Sequence, residues 1–591
     1  MGRIIGIDLG TTHSLCAVMG NHGPELIPNR VGTFLTPSIV GITADNHVLT
    51  GAAAKEMSLI EPGRCAARFK RMMGTNQPFT LGNQSFSPIE LSSLLLQSLK
   101  RDAEAHLGTA IHEAVITVPA YFNDHQRKAT RRAGELAGLK VTRMINEPTA
   151  AALTYGFHDR QSERRLLVFD LGGGTLDVTL MDIFESSLEI IATSGSSMLG
   201  GEDFTAALMQ WACEQQETAG GFLRDADPHR YARLWKECEA AKVRLSWEQE
   251  TSLRLPEAGG DFAEQPPQLP LSRASFETLL KGFLPRLTAC IQKTLSDGQT
   301  EPDQVDHAIL VGGATRMPMI ADLLQTTFNK PALCRYHPDE VVAMGAAVQA
   351  GLYENHVAVE DLVLTDVCPF TLGIAVSKQL GRDYRTGYFL PIIHRNTTLP
   401  VSREEVVYTL YPNQREVDVM IYQGESRKIK DNLLLGRLKV SGIPPSTEEQ
   451  EIFIRFTYDL SGVLEVEALI GENGQTFRSV LSQQVKGLDE KDLDEALKRM
   501  AQFKFYPRDQ EQYQHLLFFA EQALAEVNHH RREELETLID AYEAALWEAG
   551  QVEDGQTWFF DTHHQLRDFL EELGYSLKQP PEESDFGQFK P

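Results

Sequence analysis

Two stretches of the chain share one order of apolar and polar positions. In residues 166–181, four apolar residues lead into Asp170, three glycines follow, and a second apolar run ends in methionine. Residues 4–19 show the same order around Asp8, with small residues in the turn. Each stretch predicts a strand, a tight turn and a second strand. Because a whole supersecondary unit is repeated, the sequence predicts two lobes of similar architecture.

The predicted turns carry the chemistry of a phosphate site. Backbone N–H groups of a glycine turn form a small concavity that holds phosphate oxygens, and an aspartate at the strand end can hold Mg²⁺ through water. One such turn alone is equally compatible with an ordinary hairpin, whereas two of them predict a nucleotide clamped between lobes. The sequence contains no Gly-Lys pair and no third glycine after Gly174, so neither a P-loop nor a dinucleotide fingerprint is present.

Composition narrows the class of protein. A chain of 591 residues predicts three or four domains, and a formal net charge of −26 argues against nucleic acid as a partner. The N-terminus enters a strand directly, without a secretory signal, and no apolar run is long enough to span a membrane. Seven cysteines without a CxxC pair fit a reducing compartment. These features predict a cytoplasmic protein that has no membrane contact.

The remaining pattern divides the chain further. A buried strand precedes Pro119, and a helix is expected from Asp124, with Asp124 itself as the N-cap. Beyond residue 360, short alternating runs such as Val417, Val419 and Ile421 predict a β-sandwich. Beyond residue 485, apolar residues recur at helical spacing. His529-His530 and His563-His564 suit exposed helix positions better than a metal site, because no further ligands complete a set.

Several motifs together resemble one family. GIDLGTTHS, VITVPAYFND, INEPTAAALTYG, FDLGGGTLD, LGGEDF, VGGATRMPMI and HPDEVVAMGAAVQAG occur in this order. They resemble the ATPase domain of the DnaK-type seventy-kilodalton heat-shock chaperones, over roughly residues 1–480, with an HscC-like bacterial branch as the nearest type. The resemblance implies a multidomain protein. It would comprise a duplicated actin-like (ribonuclease-H-like) α/β ATPase domain at 1–360, a linker at 361–367, a β-sandwich peptide-binding domain at 368–485, an α-helical lid at 486–577 and a disordered tail at 578–591.

The resemblance also implies roles in ATP hydrolysis. Asp8 and Asp170 would hold Mg²⁺ and K⁺ around the phosphates, and Lys70 would contact the γ-phosphate and the attacking water. Glu147 and Thr175 would position that water. The other implied contacts with ATP or ADP are Gly10, Thr11, Thr12, His13, Gly172, Gly173, Gly174, Gly200 and Gly201, and, around the adenosine end, Glu239, Lys242, Ser246, Gly312, Gly313, Arg316 and Asp339. Taken without the resemblance, Lys70 with Arg71 reads equally as a surface pair, Glu147 as a helix cap, and Glu239, Lys242 and Ser246 as one solvated helix face.

The C-terminal half would bind a peptide. The resemblance places Ile374, Val407, Val417 and Val419 around an extended apolar segment, with Ser377 and Leu410 arching over it. Val407 replaces the usual aromatic residue, and Leu410 replaces the usual small residue. The resemblance therefore does not determine the depth of the pocket or which peptide it prefers. Pro119, Arg127, Arg143 and Asp366 would couple the domains. Thr365 interrupts the apolar linker, which predicts weaker docking, and the basic residue that would latch the lid is missing near Ser446.

We therefore expect an ATP-dependent chaperone that binds apolar segments of unfolded or specific client proteins. A J-domain co-chaperone would be its partner, and the need for a nucleotide exchange factor as a further partner is open. Two alternatives remain open from the residues alone. One is a small-molecule kinase on the same ATPase fold, which would leave the β-domain unexplained. The other is a non-refolding holdase or exchange-type protein that binds ATP without hydrolysing it, which the presence of Lys70, Glu147, Asp170 and Thr175 argues against.

Overall fold

The structure is a computed structural model. It describes residues 3–158, 163–184, 187–216, 226–359, 363–380, 383–459, 462–481 and 504–505, and also 516–517, 519–520, 523, 531, 534–535, 537–542, 545 and 556–573. The predicted tail at 578–591 and most of the predicted lid at 486–577 lie outside these residues.

A six-stranded sheet forms the centre of the first lobe, which comprises residues 3–146. The strand order is β11-β10-β1-β2-β3, with β4 beside β2. The strands are Ile4–Asp8 (β1), His13–Gly20 (β2), Gly23–Ile27 (β3), Thr36–Pro37 (β4), Ile39–Ile42 (β5), His47–Thr50 (β6), Cys65–Ala67 (β7), Phe79–Leu81 (β8), Gln84–Phe86 (β9), Glu113–Val118 (β10) and Lys140–Asn146 (β11). The helices are Gly51–Ile60 (α1), Pro88–Leu107 (α2) and Asp124–Leu136 (α3).

The helix expected from Asp124 forms, but its N-cap is one residue earlier. Asn123 accepts the N–H of Gln126 through its side chain, and the Gln126 side chain accepts the N–H of Asn123 in return. This reciprocal capping box satisfies two N–H groups at once, which a cap at Asp124 would not do.

The second lobe, residues 164–359, follows helix Glu147–His158 (α4). Its strands are Arg164–Leu171 (β12), Leu176–Phe184 (β13), Ser187–Ser196 (β14), Glu250–Arg254 (β15), Gln268–Ser272 (β16) and His307–Val311 (β17). Its helices are Gly201–Gln215 (α5), Pro228–Arg244 (α6), Arg273–Leu280 (α7), Leu284–Asp297 (α8), Pro318–Phe328 (α9) and Val341–Tyr353 (α10). The central sheet runs β17-β12-β13-β14 and continues into two strands described below.

The two lobes repeat one topology, as predicted from the repeated pattern. In the first lobe β1 pairs antiparallel with β2 and parallel with β10. In the second lobe β12 pairs antiparallel with β13 and parallel with β17. Asp8 and Asp170 therefore stand at equivalent strand ends.

Helices α4 and α10 pack against each other at the junction of the lobes. A side chain at Gly345 would overlap the carbonyl of Ala150, and one at Gly6 would overlap the backbone of α10. Only glycine allows backbones to approach so closely. Because α10 contacts β1 and α4 together, it places the end of β1 against the second lobe.

The segment after the second lobe forms two four-stranded sheets around one apolar core. Their orders are β20-β19-β23-β24 and β22-β25-β26-β27. The strands are Val363–Val367 (β18), Leu372–Leu380 (β19), Asp383–Ile393 (β20), Thr398–Leu399 (β21), Val401–Tyr408 (β22), Glu416–Gln423 (β23), Leu433–Ser441 (β24), Glu451–Tyr458 (β25), Leu464–Ile470 (β26) and Thr476–Val480 (β27). We call residues 368–481 the sandwich.

The predicted linker forms a strand in this structure. β18 joins the second-lobe sheet parallel to β14, and β21 of the sandwich extends the same sheet. The Thr365 hydroxyl lies 3.4 Å from the Leu188 carbonyl. The linker is thus docked, while the expectation that Thr365 weakens docking stays a prediction.

Polar contacts join the sandwich to both lobes. Asp297 of α8 receives two hydrogen bonds from Arg395, at 2.5 and 3.0 Å. On the first lobe, the N–H of Asp124 donates to the Gln423 side chain at 3.0 Å, and Tyr121 packs on Phe370 with ring centres 4.6 Å apart. Contacts on two sides orient the sandwich relative to the lobes.

The described part of the predicted lid is mainly helical. Gln556–Glu572 (α11) buries Leu566 and Leu570 in a cluster with Leu535 and Tyr542. Lys504–Phe505 (β28) differs from the helical expectation, because it pairs parallel with β6 of the first lobe. Among the described helices, none is long and apolar enough to cross a membrane.

The histidine pairs fall in this region. His529 and His530 lie outside the described residues. Nδ1 of His563 is 3.1 Å from the Tyr542 hydroxyl, and burial lowers the pKa of His563. This contact places His563 in the packing of the helices.

Candidate functional site

The two predicted turns meet at the base of the cleft between the lobes. A side chain at Gly173 would collide with Thr12, and one at Gly174 would collide with Thr11. The absence of side chains at Gly173 and Gly174 allows the second turn to approach Thr11 and Thr12 of the first turn this closely. The structure therefore brings the predicted phosphate-binding residues of the two lobes together.

The buried carboxyl groups of Glu147, Asp170 and Asp177 and the half-buried carboxyl group of Asp8 lie beside these turns. Lys70 pairs with Glu147 at 2.6 Å, with the side chains only 3% and 9% exposed. Burial, and next the charge of Glu147, raise the pKa of Asp8 to about 7 and that of Asp177 to about 8, and they also raise the pKa of Asp170. Lys70 opposes all three shifts. Such a surplus of buried acids favours an added cation.

The donor set suits a hydrated ion. Among the residues that the structure describes, no three or more His, Cys, Asp and Glu side chains gather closely enough to hold a metal directly. Mg²⁺ usually keeps several waters and binds through one or two carboxylates and substrate phosphates. As carboxylates from the two lobes, Asp8 and Asp170 are chemically suited to the predicted Mg²⁺ role, which stays a prediction.

Helix α5 begins against the second turn. The N–H of Gly201 donates to the Gly172 carbonyl at 2.9 Å, and the Asp203 carboxylate accepts the N–H of Gly200 at 2.7 Å. The Lys242 ammonium donates to the Gly201 carbonyl at 3.0 Å. Lys242 thus ties helix α6 to the predicted phosphate cradle.

The residues predicted for the adenosine end form two ion pairs. Lys242 contacts Glu239 at 2.8 Å, and Arg316 contacts Asp339 at 3.2 Å. Ser246 does not share the helical face, because α6 ends at Arg244 and Ser246 lies in the following turn. The prediction that Ser246 shares one helical face with Glu239 and Lys242 is therefore wrong. Its position directly after the helix is compatible with the site.

His13 stands at the start of β2, where its charge state is influenced by Asp339, Glu239 and Lys242 of these pairs. Burial, followed by the charge of Lys55, lowers its pKa to about 4, while Asp339 and Glu239 oppose the shift. A neutral imidazole is consequently favoured near neutral pH in the structure as described.

Three further side chains carry no assignment from the sequence, yet they hold the site. Arg71 donates to the Gly174 carbonyl at 2.9 Å and to Asp203 at 2.5 Å, which joins the lobes. The Thr117 hydroxyl donates to Asp8 at 2.9 Å. Asp177 faces Asp170 in the hairpin register and accepts the Tyr121 N–H at 3.2 Å. Of these three residues, only Arg71 carries a sequence signal for a place in the site, because it is adjacent to Lys70.

The comparisons with known proteins agree with this geometry. The Hsp70 protein family model matches residues 4–578. The chain is also 41% identical over 471 residues to the chaperone protein DnaK of Thermotoga neapolitana, covering 79% of this chain and 78% of the relative. DnaK of Thermotoga maritima matches with the same identity and coverage.

The chain belongs to the Hsp70 family. The predictions of an ATP-dependent chaperone and of an ATP-hydrolysing enzyme are confirmed at this level. Neither the kinase nor the non-hydrolysing holdase is favoured by these matches.

In this Hsp70, Arg127 of the predicted coupling residues is joined through Asn146 to Asp366 of the docked linker. Arg127 donates to the Asn146 side-chain oxygen at 2.7 Å, and the Asn146 amide donates to the Asp366 carboxylate at 3.1 and 3.3 Å. Burial raises the pKa of Asp366, and the charge of the buried Arg143 opposes that shift. Pro119 is buried after β10, and its carbonyl accepts the N–H of Phe122. Asn146, absent from the sequence-derived set, is the central link.

The six residues predicted for the peptide differ in burial. Ile374 and Val419 belong to the core of the sandwich, and Val407 and Val417 pack partly against it. Val407 pairs in register with Ile452, which is fully buried. Ser377 and Leu410 are half-buried. The apolar members thus line the inner faces of the sandwich, and their contact with a peptide stays a prediction.

Proposed function

We propose that this Hsp70 hydrolyses ATP between its lobes, which form the actin-like ATPase domain at 1–360. The observation that carries the proposal is the buried Lys70–Glu147 pair beside Asp8 and Asp170, where the two glycine turns meet. Phosphoryl transfer requires positioning and positive charge at the γ-phosphate rather than covalent chemistry from the protein.

Each residue of the site has a role in that proposal. Lys70 stabilises charge on the γ-phosphate, and Glu147 holds the Lys70 ammonium in place through their ion pair. Glu147 and Thr175 orient the attacking water. Asp8 and Asp170 would hold Mg²⁺ and K⁺. When bound, Mg²⁺ neutralises phosphate charge.

The sandwich, with the lid at 486–577, receives the client. An extended apolar segment would add backbone hydrogen bonds and place its side chains in pockets near Val407 and Leu410. Hydrolysis would reach this site through the docked linker at 361–367, because Asn146 contacts Asp366 and directly precedes Glu147. Such a coupling requires one element with two states. In this proposal the element is β18, and its two states are docked and undocked.

Partners and compartment follow from the same proposal. Client polypeptides bind the sandwich, a J-domain co-chaperone acts near Arg143 and Asp366, and a nucleotide exchange factor serves the cleft. We place the protein in the bacterial cytoplasm.

ATP turnover with and without an apolar peptide tests the proposal. We expect slow basal turnover that a peptide changes, together with inorganic phosphate release that does not depend on small-molecule acceptors. Turnover that occurs only with a sugar or acetate acceptor would contradict it. Tight ATP binding without any hydrolysis would contradict the assignment of Lys70 and Glu147.

A further inference from the structure

A depression with basic side chains lies in the second lobe, at the last turn of helix α4. Strand β12 contributes Arg164, strand β17 contributes His307, and the stretch beside β17 in the sheet contributes Arg335. Tyr155 of α4 and Tyr336 also line it, with their rings edge to face and their centres 4.9 Å apart. We call these five residues the basic depression.

The alternation of side chains along the strands explains why three basic residues meet. Residues two apart on a strand face the same way. Arg164 therefore shares a face of the sheet with the buried Leu166. His307 shares the same face with the buried Ile309 of β17. Leu166 pairs with His307, and Ile309 pairs with Leu333, so the three stretches are neighbours at about 4.8 Å spacing.

The opposite face of the same strands is balanced in charge. Arg165 donates two hydrogen bonds to the Asp182 carboxylate, both at 2.8 Å. The Asp306 carboxylate accepts the N–H of Arg165, also at 2.8 Å. Among the residues that the structure describes, none of those lining the basic depression carries a carboxylate. The two faces of the sheet therefore differ in charge, although the whole chain is acidic.

The charge state of His307 responds to these surroundings. Burial and next the charge of Arg164 lower the pKa of His307, and the charges of Arg335 and Lys330 lower it as well. Asp306 opposes these shifts. The Lys330 ammonium donates to a backbone carbonyl at 2.7 Å, so it is held outside the depression. A bound anion would add negative charge and favour the protonated imidazole.

The two tyrosines add an apolar wall. Burial raises the pKa of Tyr155 to about 12, so its hydroxyl is uncharged near neutral pH, and it accepts the N–H of Arg335 at 3.3 Å. An aromatic ring gives a large apolar contact area, whereas a guanidinium matches the geometry of a carboxylate or phosphate. The depression therefore combines recognition of charge with recognition of an apolar body.

We propose that the basic depression binds a small organic anion through its carboxylate or phosphate group, with the apolar part of the ligand against the tyrosine rings. Arg164 and Arg335 hold the oxygens, and His307 adds a donor. This site is separate from the nucleotide cleft. Arg164 and Asp170 stand near opposite ends of β12, six residues or about 20 Å apart. The inference does not rest on the proposed ATP hydrolysis.

Isothermal titration calorimetry tests the proposal on the full chain saturated with ADP and Mg²⁺, which keeps the nucleotide cleft filled. The probes are phenyl phosphate, benzoate and the uncharged benzyl alcohol. We expect an anion to bind and benzyl alcohol not to bind. The tighter of the two anions identifies the preferred group. Absence of binding by both anions, or equal binding of benzyl alcohol, overturns the site.

A variant and a matched control locate the binding. Arg335→Gln removes an exposed guanidinium but keeps the backbone N–H that meets Tyr155, and we expect about three- to tenfold weaker binding. Arg437→Gln removes a guanidinium from β24 of the sandwich, 3.8 Å from Asp418, and should leave binding unchanged. Equal losses in both variants would show general attraction to charge and overturn the site. Melting curves verify the fold, and Arg335→Lys should bind with intermediate affinity.

The titration of His307 gives an independent readout. Its ring ¹³C signal is identified by its loss in His307→Gln and followed between about pH 5 and pH 8. We expect the tighter anion to raise the pKa of His307, because negative charge nearby favours the protonated form. An unchanged titration of His307 with the anion bound would place the anion elsewhere and overturn the proposal.

Discussion

Replacing Asn146 with alanine should uncouple the linker from the first lobe. The Asn146 amide donates to the buried Asp366 carboxylate at 3.1 and 3.3 Å, and the N–H of Val367 within the linker donates to it at 2.8 Å. The two Asn146 distances belong to one shared N–H group, so the loss is counted as one hydrogen bond to a charge. Such a bond contributes about 1.5–3 kcal/mol. Arg127 keeps its bonds to the carbonyls of Phe122 and Ala120, so its own loss adds little.

That free energy shifts the docking equilibrium of β18 by roughly tenfold to 150-fold toward the undocked state. Hydrogen exchange of the amides in residues 363–367, measured with ATP, reports docking directly, because pairing with β14 and β21 protects them. We expect exchange in Asn146→Ala to be faster than in wild type. Exchange in Asn146→Asp should be at least as fast as in Asn146→Ala, because the new carboxylate would face that of Asp366. Thr365→Val is the comparison variant on the same strand: it removes only a 3.4 Å contact, and because Thr365 is predicted to weaken docking, exchange should be unchanged or slower rather than faster.

Exchange in Asn146→Ala that stays within about threefold of wild type would refute this reasoning, because the expected shift is at least tenfold. Equal loss of protection in β14 and in the first-lobe sheet would instead indicate general destabilisation. Melting temperatures of the variants distinguish that case.

The remaining predictions concern other parts of the molecule. Lys70→Ala should bind ATP nearly as wild type but lose single-turnover hydrolysis, since the ammonium acts mainly in the transition state; hydrolysis near the wild-type rate would contradict its role. Burial lowers the pKa of His13 from 6.5 to about 4, so between these pH values the unfolded chain binds more protons than the folded one. Stability without nucleotide should therefore decrease as the pH is lowered through this window, and it should decrease less in His13→Gln. Parallel pH profiles of the two melting temperatures would contradict this. Asp366→Asn should leave basal ATPase roughly unchanged but blunt stimulation by a J-domain protein, and full stimulation would place that partner elsewhere. Val407→Phe with Leu410→Ala should reorder peptide preferences on an array by about ten- to 200-fold, whereas uniformly weaker binding with a lower melting temperature would assign both residues to the core alone.

Local pattern predicts the hairpins because their signals are short-range. An apolar run, an aspartate and small turn residues specify a strand pair without reference to the rest of the chain, and the structure shows both hairpins where they were expected. The strands of the sandwich are predicted for the same reason, since alternation of side chains follows from the period of a strand. The same local reading misplaced the N-cap by one residue, because Asn123 and Asp124 are both good caps and only the capping box decides between them.

Contacts between residues distant in sequence are decided by the tertiary structure. Asn146 and Asp366 are 220 residues apart, and no local pattern marks an asparagine at a strand end as the partner of a linker carboxylate. Arg68 and Trp235 likewise meet only because the lobes close over the cleft. The strands, the helices and the two turns could be predicted from the sequence, because their geometry depends on residues that are neighbours in the chain. The fold alone decided the raised pKa of Asp177 and the docking of β18, because burial and charge depend on which distant groups exclude water from a side chain.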